Sequence, residues 1–174
     1  MLGRLHRFAL GVFRRLPVRA RRVVVRAVAP GHTVGAICMI ERGDGSLLLV
    51  RQSYRNRWGV PGGLLKRGET PHAAAVREVR EEVGLDIVLI GEPAVVVEPA
   101  ARRVDLIFRA AVAPGEDPDQ ARPRSPEITE TAWFPVDDLP ELQAETANAL
   151  VALARSARNP QAVALPADVR ILGS

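Results

Sequence analysis

Cysteine is nearly absent from this chain: Cys38 is the only one in 174 residues. One thiol excludes an intramolecular disulfide and an all-cysteine zinc site, and it fits a reducing cytoplasm better than a stapled secreted scaffold. Aromatic residues are scarce, at 4%, which leaves few rings to stack on a base. Lysine occurs once, at Lys66, against 23 arginines. A GC-rich genome accounts for that bias better than a selected phosphate-binding surface. Aliphatic runs such as Leu47–Val50 fall far short of the roughly 18 residues needed to span a bilayer. Acids are missing altogether from residues 1–30, which hold eight arginines. The other 144 residues hold 16 basic and 20 acidic side chains, a balance of −4, so the net charge of +4 belongs to the N-terminal arm. A domain of that charge is a poor general ligand for nucleic acid, and no DNA binding is expected.

What remains is ordinary for a globular protein, with 47% apolar and 25% charged residues. The length supports one domain with short extensions and a real core. The expected division is a basic amphipathic arm at 1–30, a globular domain at 31–158 and a tail at 159–174. In the arm, Leu2, Leu5, Ala9, Val12 and Leu16 recur at helical spacing, and Pro17 should end or bend that helix. Val23–Val25, within the basic stretch Val18–Val28, reads as strand-like. Three readings of the arm stay open. It could pack on its own domain or on a second copy in a homodimer. Residues 1–16 could make a weak contact with an anionic membrane surface. The arm could also be a transit peptide.

From Thr33 the pattern alternates. Thr33–Ile40 suits a buried strand, Gly43-Asp44-Gly45 a hairpin turn, and Ser46–Gln52 the returning strand. Thr70 as N-cap, Pro71 at the first helical position and Gly84 as the stop bound a helix. Ile87–Ile90, Ala94–Glu98 and Val104–Val112 read as strands. Pro114–Pro126 reads as a mobile loop, Thr131–Val136 as a last strand, and Pro140 to Arg158 as an amphipathic helix. Interleaved strands and helices argue for an α/β layered domain.

The helix between Thr70 and Gly84 holds the chemistry. At helical spacing Glu78 and Glu82 lie about 40° apart, and Glu81 lies about 60° to the other side of Glu78. The three carboxylates line one flank beside an apolar stripe of Ala75, Val79 and Val83, at the edge of the core. Glutamates so close repel, at a few tenths of a kcal/mol per i,i+4 pair. A hard divalent cation, Mg²⁺ or Mn²⁺, would turn that repulsion into coordination. Arg77 and Glu69 offer a pair that could fix the preceding loop to the helix. Gly62 and Gly63 would let backbone approach an ion or a phosphate.

The stretch Gly63–Leu85 resembles the Nudix box, G-x5-E-x7-R-E-U-x-E-E-x-G-U with U aliphatic. Gly63, Glu69, Arg77, Glu78, Val79, Glu81, Glu82, Gly84 and Leu85 fill every specified position. Its single-residue requirements alone give a chance match on the order of 10⁻⁹ per start position. A looser resemblance extends from His32 to Leu153, through Trp58-x-x-Pro61-Gly62-Gly63 and Trp133-Phe134.

The resemblance implies the Nudix fold, a mixed β-sheet sandwiched between α-helices. It also implies a MutT-like, metal-dependent pyrophosphohydrolase. Such an enzyme cleaves a nucleoside diphosphate linked to another group, with water attacking phosphorus. The small nucleotide substrate would be a nucleotide-sugar, an ADP-ribose-like molecule or a (d)NTP. By the same resemblance Glu78, Glu81 and Glu82 hold Mg²⁺ or Mn²⁺, with a backbone carbonyl at Gly62 or Gly63, and Glu78 is the candidate base. Arg77 and Glu69 are the supporting pair. Glu127 is a further metal or base candidate, with Glu130 as its rival. Tyr54 and Trp58 are the candidate substrate-stacking rings, with Trp133 and Phe134 behind them. Pro99, 14 residues beyond Leu85, is out of register with the proline of ADP-ribose pyrophosphatases. The tyrosine of dinucleoside-polyphosphate hydrolases and the long NADH-pyrophosphatase signature are missing. Two other readings accompany this one: a non-catalytic nucleotide-sensing module and an RNA 5′-end pyrophosphohydrolase.

Overall fold

The computed structural model describes Gly11, residues 13–29 and residues 31–158. The expected tail at 159–174, and residues 1–10 of the expected first helix, lie outside the described residues. The chain divides into two compact units, Met1–His32 and Thr33–Ser174.

In the first unit, Phe13–Arg15 is helical and the helix ends before Pro17, as proline requires. A second helix, α1 (Val18–Val28), follows. The strand-like reading of Val23–Val25 is therefore corrected. Arginine and alanine supply the rest of the segment apart from valines at its two ends, and both are strong helix formers. Each valine costs only about 0.5 kcal/mol in a helix. Arg21 folds back, donating from Nε to the Leu16 carbonyl at 2.8 Å and from Nη2 to the Arg14 carbonyl. It thus satisfies carbonyls that the broken helix leaves open.

The second unit is a seven-stranded mixed sheet with a helix on each face. Its strands are β1 (Thr33–Glu41), β2 (Ser46–Gln52), β3 (Trp58–Gly59), β4 (Gly62–Leu64), β5 (Ile87–Glu98), β6 (Arg103–Val112) and β7 (Ile128–Pro135). The helices are α2 (Pro71–Val83) and α3 (Ala144–Arg158). The main order is β3-β2-β1-β6-β5, with β4 on β1 and β7 on β2. β1 runs parallel to β6 and antiparallel to β4. Both faces of β1 are buried, which explains why Ala36–Ile40 is continuously apolar rather than alternating. One face, with Ala36, Cys38, Ile40 and Phe108, packs with Ala75, Val79 and Val83 of α2. The other, with Ile37, Met39 and Ile107, packs with Ala149 and Leu153 of α3. Among the described residues no helix is long and apolar enough to cross a membrane.

Other boundaries differ from expectation for physical reasons. Ile87–Ile90 and Ala94–Glu98 form one strand, because an irregularity between Ile90 and Ala94, at left-handed Gly91, absorbs the break without ending the pairing to β6. β7 starts earlier than Thr131, because Arg51 and Gln52 of β2 pair with Glu130 and Ile128. α3 starts at Ala144 rather than Pro140. The preceding residues are drawn into pairing with β3: Trp58 N–H donates to the Glu141 carbonyl and Gln143 N–H to the Trp58 carbonyl. The Pro114–Pro126 segment, expected to be mobile, is pinned. It contains a 3₁₀ turn at Pro118–Gln120. Trp133 Nε1 donates to the Pro118 carbonyl at 3.1 Å, Thr131 Oγ1 to the Ala121 carbonyl at 3.2 Å, and Arg42 pairs with Asp119 at 2.8 Å.

The boundaries of α2 fall where Thr70 and Gly84 predict. Thr70 Oγ1 accepts from the Ala73 amide at 3.3 Å, and Gly84 is left-handed with φ 74°. Thr70→Ala should cost about 1 kcal/mol and lower Tm by roughly 2–4 °C. Thermal unfolding checks this, and an unchanged Tm would show that the cap contributes nothing.

Candidate active site

Four fully buried residues of α2, Ala74, Ala75, Val79 and Val83, fix the rotation of the helix about its axis. That rotation points Glu82 inward, so it is only 6% exposed. Its Oε2 accepts from the Gly62 amide at 3.0 Å. Burial pushes the Glu82 carboxyl up to about 8 against the pull of the Gly62 amide, and the negative charges of Glu78, Glu127 and Glu81 add to the rise.

β4 brings the two glycines to this point. Ile37 pairs with Gly62 and Ala36 with Gly63. A Cβ at Gly62 would lie 2.5 Å from the Ala36 carbonyl oxygen, and one at Gly63 would lie 2.5 Å from Glu78 Oε1. Gly62 therefore requires glycine, because the obstacle is backbone and its φ is +154°, whereas at Gly63 a side chain would press on the end of the Glu78 carboxylate and displace it.

Arg77 organises the flank. It grips Glu69 with two hydrogen bonds, Nε to Oε1 at 2.7 Å and Nη2 to Oε2 at 2.8 Å. Its Nη1 donates to Glu78 Oε1 at 2.7 Å and to Glu81 Oε2 at 3.0 Å, and Nη2 reaches the Leu64 carbonyl at 3.3 Å. Loop, β4 and helix are thus tied through one planar guanidinium, which lysine could not do. Glu69 also accepts from the Lys66 amide at 2.8 Å. The Arg77 hydrogen bonds first, then that amide, hold the Glu69 carboxyl down to about 2.

A cavity of about 440 Å³ opens over the carboxylates. Glu78, Glu82, Glu127, Gly62, Gly63 and Tyr54 line it. Glu130 does not: it lies in β7 and pairs with Arg51 at 3.4 Å. Two other expectations shift. Glu81 is turned toward Lys66 at 3.2 Å and Arg77, with its side chain 51% exposed, so it stands at the rim rather than in line with Glu78 and Glu82. Trp58 lies in the core, 9% exposed, edge-on to Phe134 and beneath the Arg51 guanidinium. Its short strand turns the indole away from the cavity, leaving Tyr54, 63% exposed, as the ring on the wall. Cys38 is a core residue whose thiol donates to the Ala75 carbonyl, and burial pushes it up to about 12.

The far wall carries residues that sequence patterning did not single out. Gln143 is buried; its Nε2 donates to Gln52 Oε1 and to the Arg57 carbonyl, and its Oε1 accepts from Arg55 Nη1 at 3.0 Å. Arg55 also pairs with Glu145 at 2.9 Å. Arg103 from β6 reaches the same wall. No spacing rule links these positions; only the folded register does.

Among the described residues, no three His, Cys, Asp or Glu side chains already converge as a cation cage. The donor chemistry nevertheless fits a hard cation. Glu78, Glu82 and Glu127 share one cavity, all donors are oxygens, and burial first, then the neighbouring carboxylates, raises the Glu82 carboxyl.

A family model for the NUDIX domain matches residues 31–154. The chain belongs to the Nudix family. Membership makes it a Nudix hydrolase, a diphosphatase by class. A MutT-like protein of Streptomyces ambofaciens is 32% identical over 116 residues, covering 67% of this chain and 72% of the relative. A NAD-capped RNA hydrolase, NudC, of Stutzerimonas stutzeri is 36% identical over 121 residues; the match covers 66% of this chain but only 41% of that protein. Among solved structures, a MutT NUDIX hydrolase from Burkholderia pseudomallei is 30% identical with a TM-score of 0.57, covering 70% of this chain and 97% of that one. Of these names only that of NudC states a substrate, NAD-capped RNA.

Proposed function

We propose that this Nudix hydrolase is a divalent-cation-dependent pyrophosphohydrolase of a small nucleotide. The observation that carries the reading is the buried Glu82, which lines one cavity together with Glu78, Glu127, Gly62 and Gly63. Glu78, Glu81, Glu82 and Glu127, with the Gly63 carbonyl, would hold Mg²⁺ or Mn²⁺. The bound cation neutralises phosphate oxygens and makes water a better nucleophile. In this reading Glu78, anchored by Arg77 Nη1 at 2.7 Å, accepts the proton of the attacking water. Arg77 and Glu69 keep β4 and α2 in register, so the carboxylates do not splay under their own repulsion. Glu81 acts from the rim, where Lys66 and Arg77 are its exchangeable partners. The single buried thiol of Cys38 supports a cytoplasmic setting.

A panel of nucleoside triphosphates, nucleotide-sugars and dinucleotides, incubated with the full chain and Mg²⁺, tests this reading. Release of a nucleoside monophosphate from at least one member, abolished by EDTA, is the expected result. A folded protein that binds Mg²⁺ yet cleaves none of them would overturn it. Cleavage at the 5′ end of an RNA is a second reading, favoured by the NudC relative. It predicts turnover on capped or triphosphorylated RNA that falls steeply with salt.

A further inference from the structure

Beside the carboxylate cavity lies a smaller hollow of about 140 Å³, and Ile37, Arg103 and Glu145 line both. The wall of this hollow is built with unusual care around one guanidinium. Arg103 and Asp105 lie two apart on β6, on the same face. Arg103 Nε donates to Asp105 Oδ1 at 2.7 Å. Asp105 is only 6% exposed. It fits because Gly35 stands opposite it in the parallel β1–β6 register: a Cβ at Gly35 would overlap Asp105 Oδ1 and approach Arg103 Nη2.

The arrangement spends a buried carboxylate on orienting an arginine that is itself still 32% exposed at its side chain. Among the described residues, the two Nη groups of Arg103 have no hydrogen-bond partner. They sit on a wall with Glu98, Glu145 and Asn148. The rest of the wall is aliphatic: Ile37, Val96, Ala101 and Ile107. N–H donors and carboxylate and amide acceptors set around an aliphatic surface, with no aromatic ring, match a ring that carries hydroxyl groups at its edge and C–H groups on its face. A stacked base would find no flat apolar partner here.

We propose that this hollow binds the hydroxyl groups of a sugar. Arg103 is then the residue that makes the enzyme prefer nucleoside diphosphate esters of a sugar over nucleoside triphosphates, and Asp105 is its positioning residue. This assignment rests on the hydrolase reading above. It deepens that reading by naming the second ester.

The test compares kcat and KM of the full chain with Mg²⁺ on ADP-ribose, UDP-glucose and dGTP. The wild type should favour at least one sugar nucleotide over dGTP in kcat/KM by about tenfold or more, and Arg103→Met should raise KM for that sugar nucleotide about tenfold with little change in kcat. The preference over dGTP should collapse with it. Asp105→Ala should reproduce the KM effect, whereas Asp105→Asn, which keeps an oxygen facing Nε, should restore most of the wild-type KM. If Asp105→Ala fails to fold, Arg103→Met decides alone, with its Tm as the folding control. A folded Arg103→Met enzyme with an unchanged preference, or a wild type that prefers dGTP, would overturn the sugar assignment and leave the hydrolase reading standing. No cleavage of any nucleotide would overturn both.

Discussion

Glu82→Gln is expected to lower kcat by about 10³-fold, the loss of several kcal/mol of charge stabilisation, while making the metal-free protein more stable at pH 8. The two effects come from one fact. Glu82 is 6% exposed and surrounded by the charges of Glu78, Glu127 and Glu81, with the Gly62 amide as its hydrogen-bond donor. The amide of glutamine has nearly the same shape and still offers an oxygen to Gly62 N–H, but it carries no charge to desolvate. Removing an uncompensated buried charge should raise Tm by roughly 5 °C at pH 8. A residue kept as a carboxylate against its own stability is one whose charge is needed for something other than folding. Steady-state kinetics and thermal unfolding of the same preparation check both halves. Retained turnover would remove Glu82 from the site. A falling Tm would show that its carboxylate is structural instead.

Much of this site was legible because the helix that carries it announces its own boundaries. Thr70 and Gly84 set the ends of α2, and the apolar stripe of Ala75, Val79 and Val83 sets which face turns inward. Glu78 and Glu82 follow from that phase, and the pairing of Arg77 with Glu69 follows from their complementary charge. Glu81 lies on the opposite side of Glu78 in the same phase, and Lys66 draws it outward. The misreadings share a cause. Val23–Val25, the split of β5 and the start of α3 each rest on a short window of sequence. Each was decided by something outside it: helix-forming neighbours, pairing to β6, or pairing to β3. Trp58 likewise has the look of a stacking ring in sequence, but Phe134, distant in the chain, and Arg51, its partner on β2, close over it. Arg103 and Asp105 carry no sequence signal at all. Their meaning depends on Gly35 being opposite Asp105, and a parallel register between remote strands cannot be read from either strand alone.

The stability of the metal-free protein should fall as pH rises from about 5 to 8, and saturating Mg²⁺ should reverse that slope. A carboxyl whose folded pKa is raised to about 8 binds a proton more tightly in the native state than in the unfolded chain. Its contribution to stability is therefore complete below the ordinary glutamate value and is lost as pH climbs through the folded value. Glu69 and Glu81 behave oppositely. Arg77 holds Glu69 down, and Lys66 with Arg77 holds Glu81 down, so their contributions are lost only in acid. The window above pH 5 is thus governed by Glu82, and the loss across it should be on the order of a few kcal/mol, or ~5–10 °C in Tm. Mg²⁺ competes with the proton for the same oxygens. Its stabilisation should grow as the proton leaves, because a ligand that binds only the native state adds RT ln(1 + [L]/Kd). Melting curves at pH 5, 6.5 and 8, with EDTA or with Mg²⁺, measure the effect without reference to any substrate. Glu82→Gln is the control, since it should flatten the EDTA curve across that window. Coincident curves with and without Mg²⁺ in the wild type would show that these carboxylates do not bind the ion, and the metal-dependent chemistry proposed for them would fall with that result.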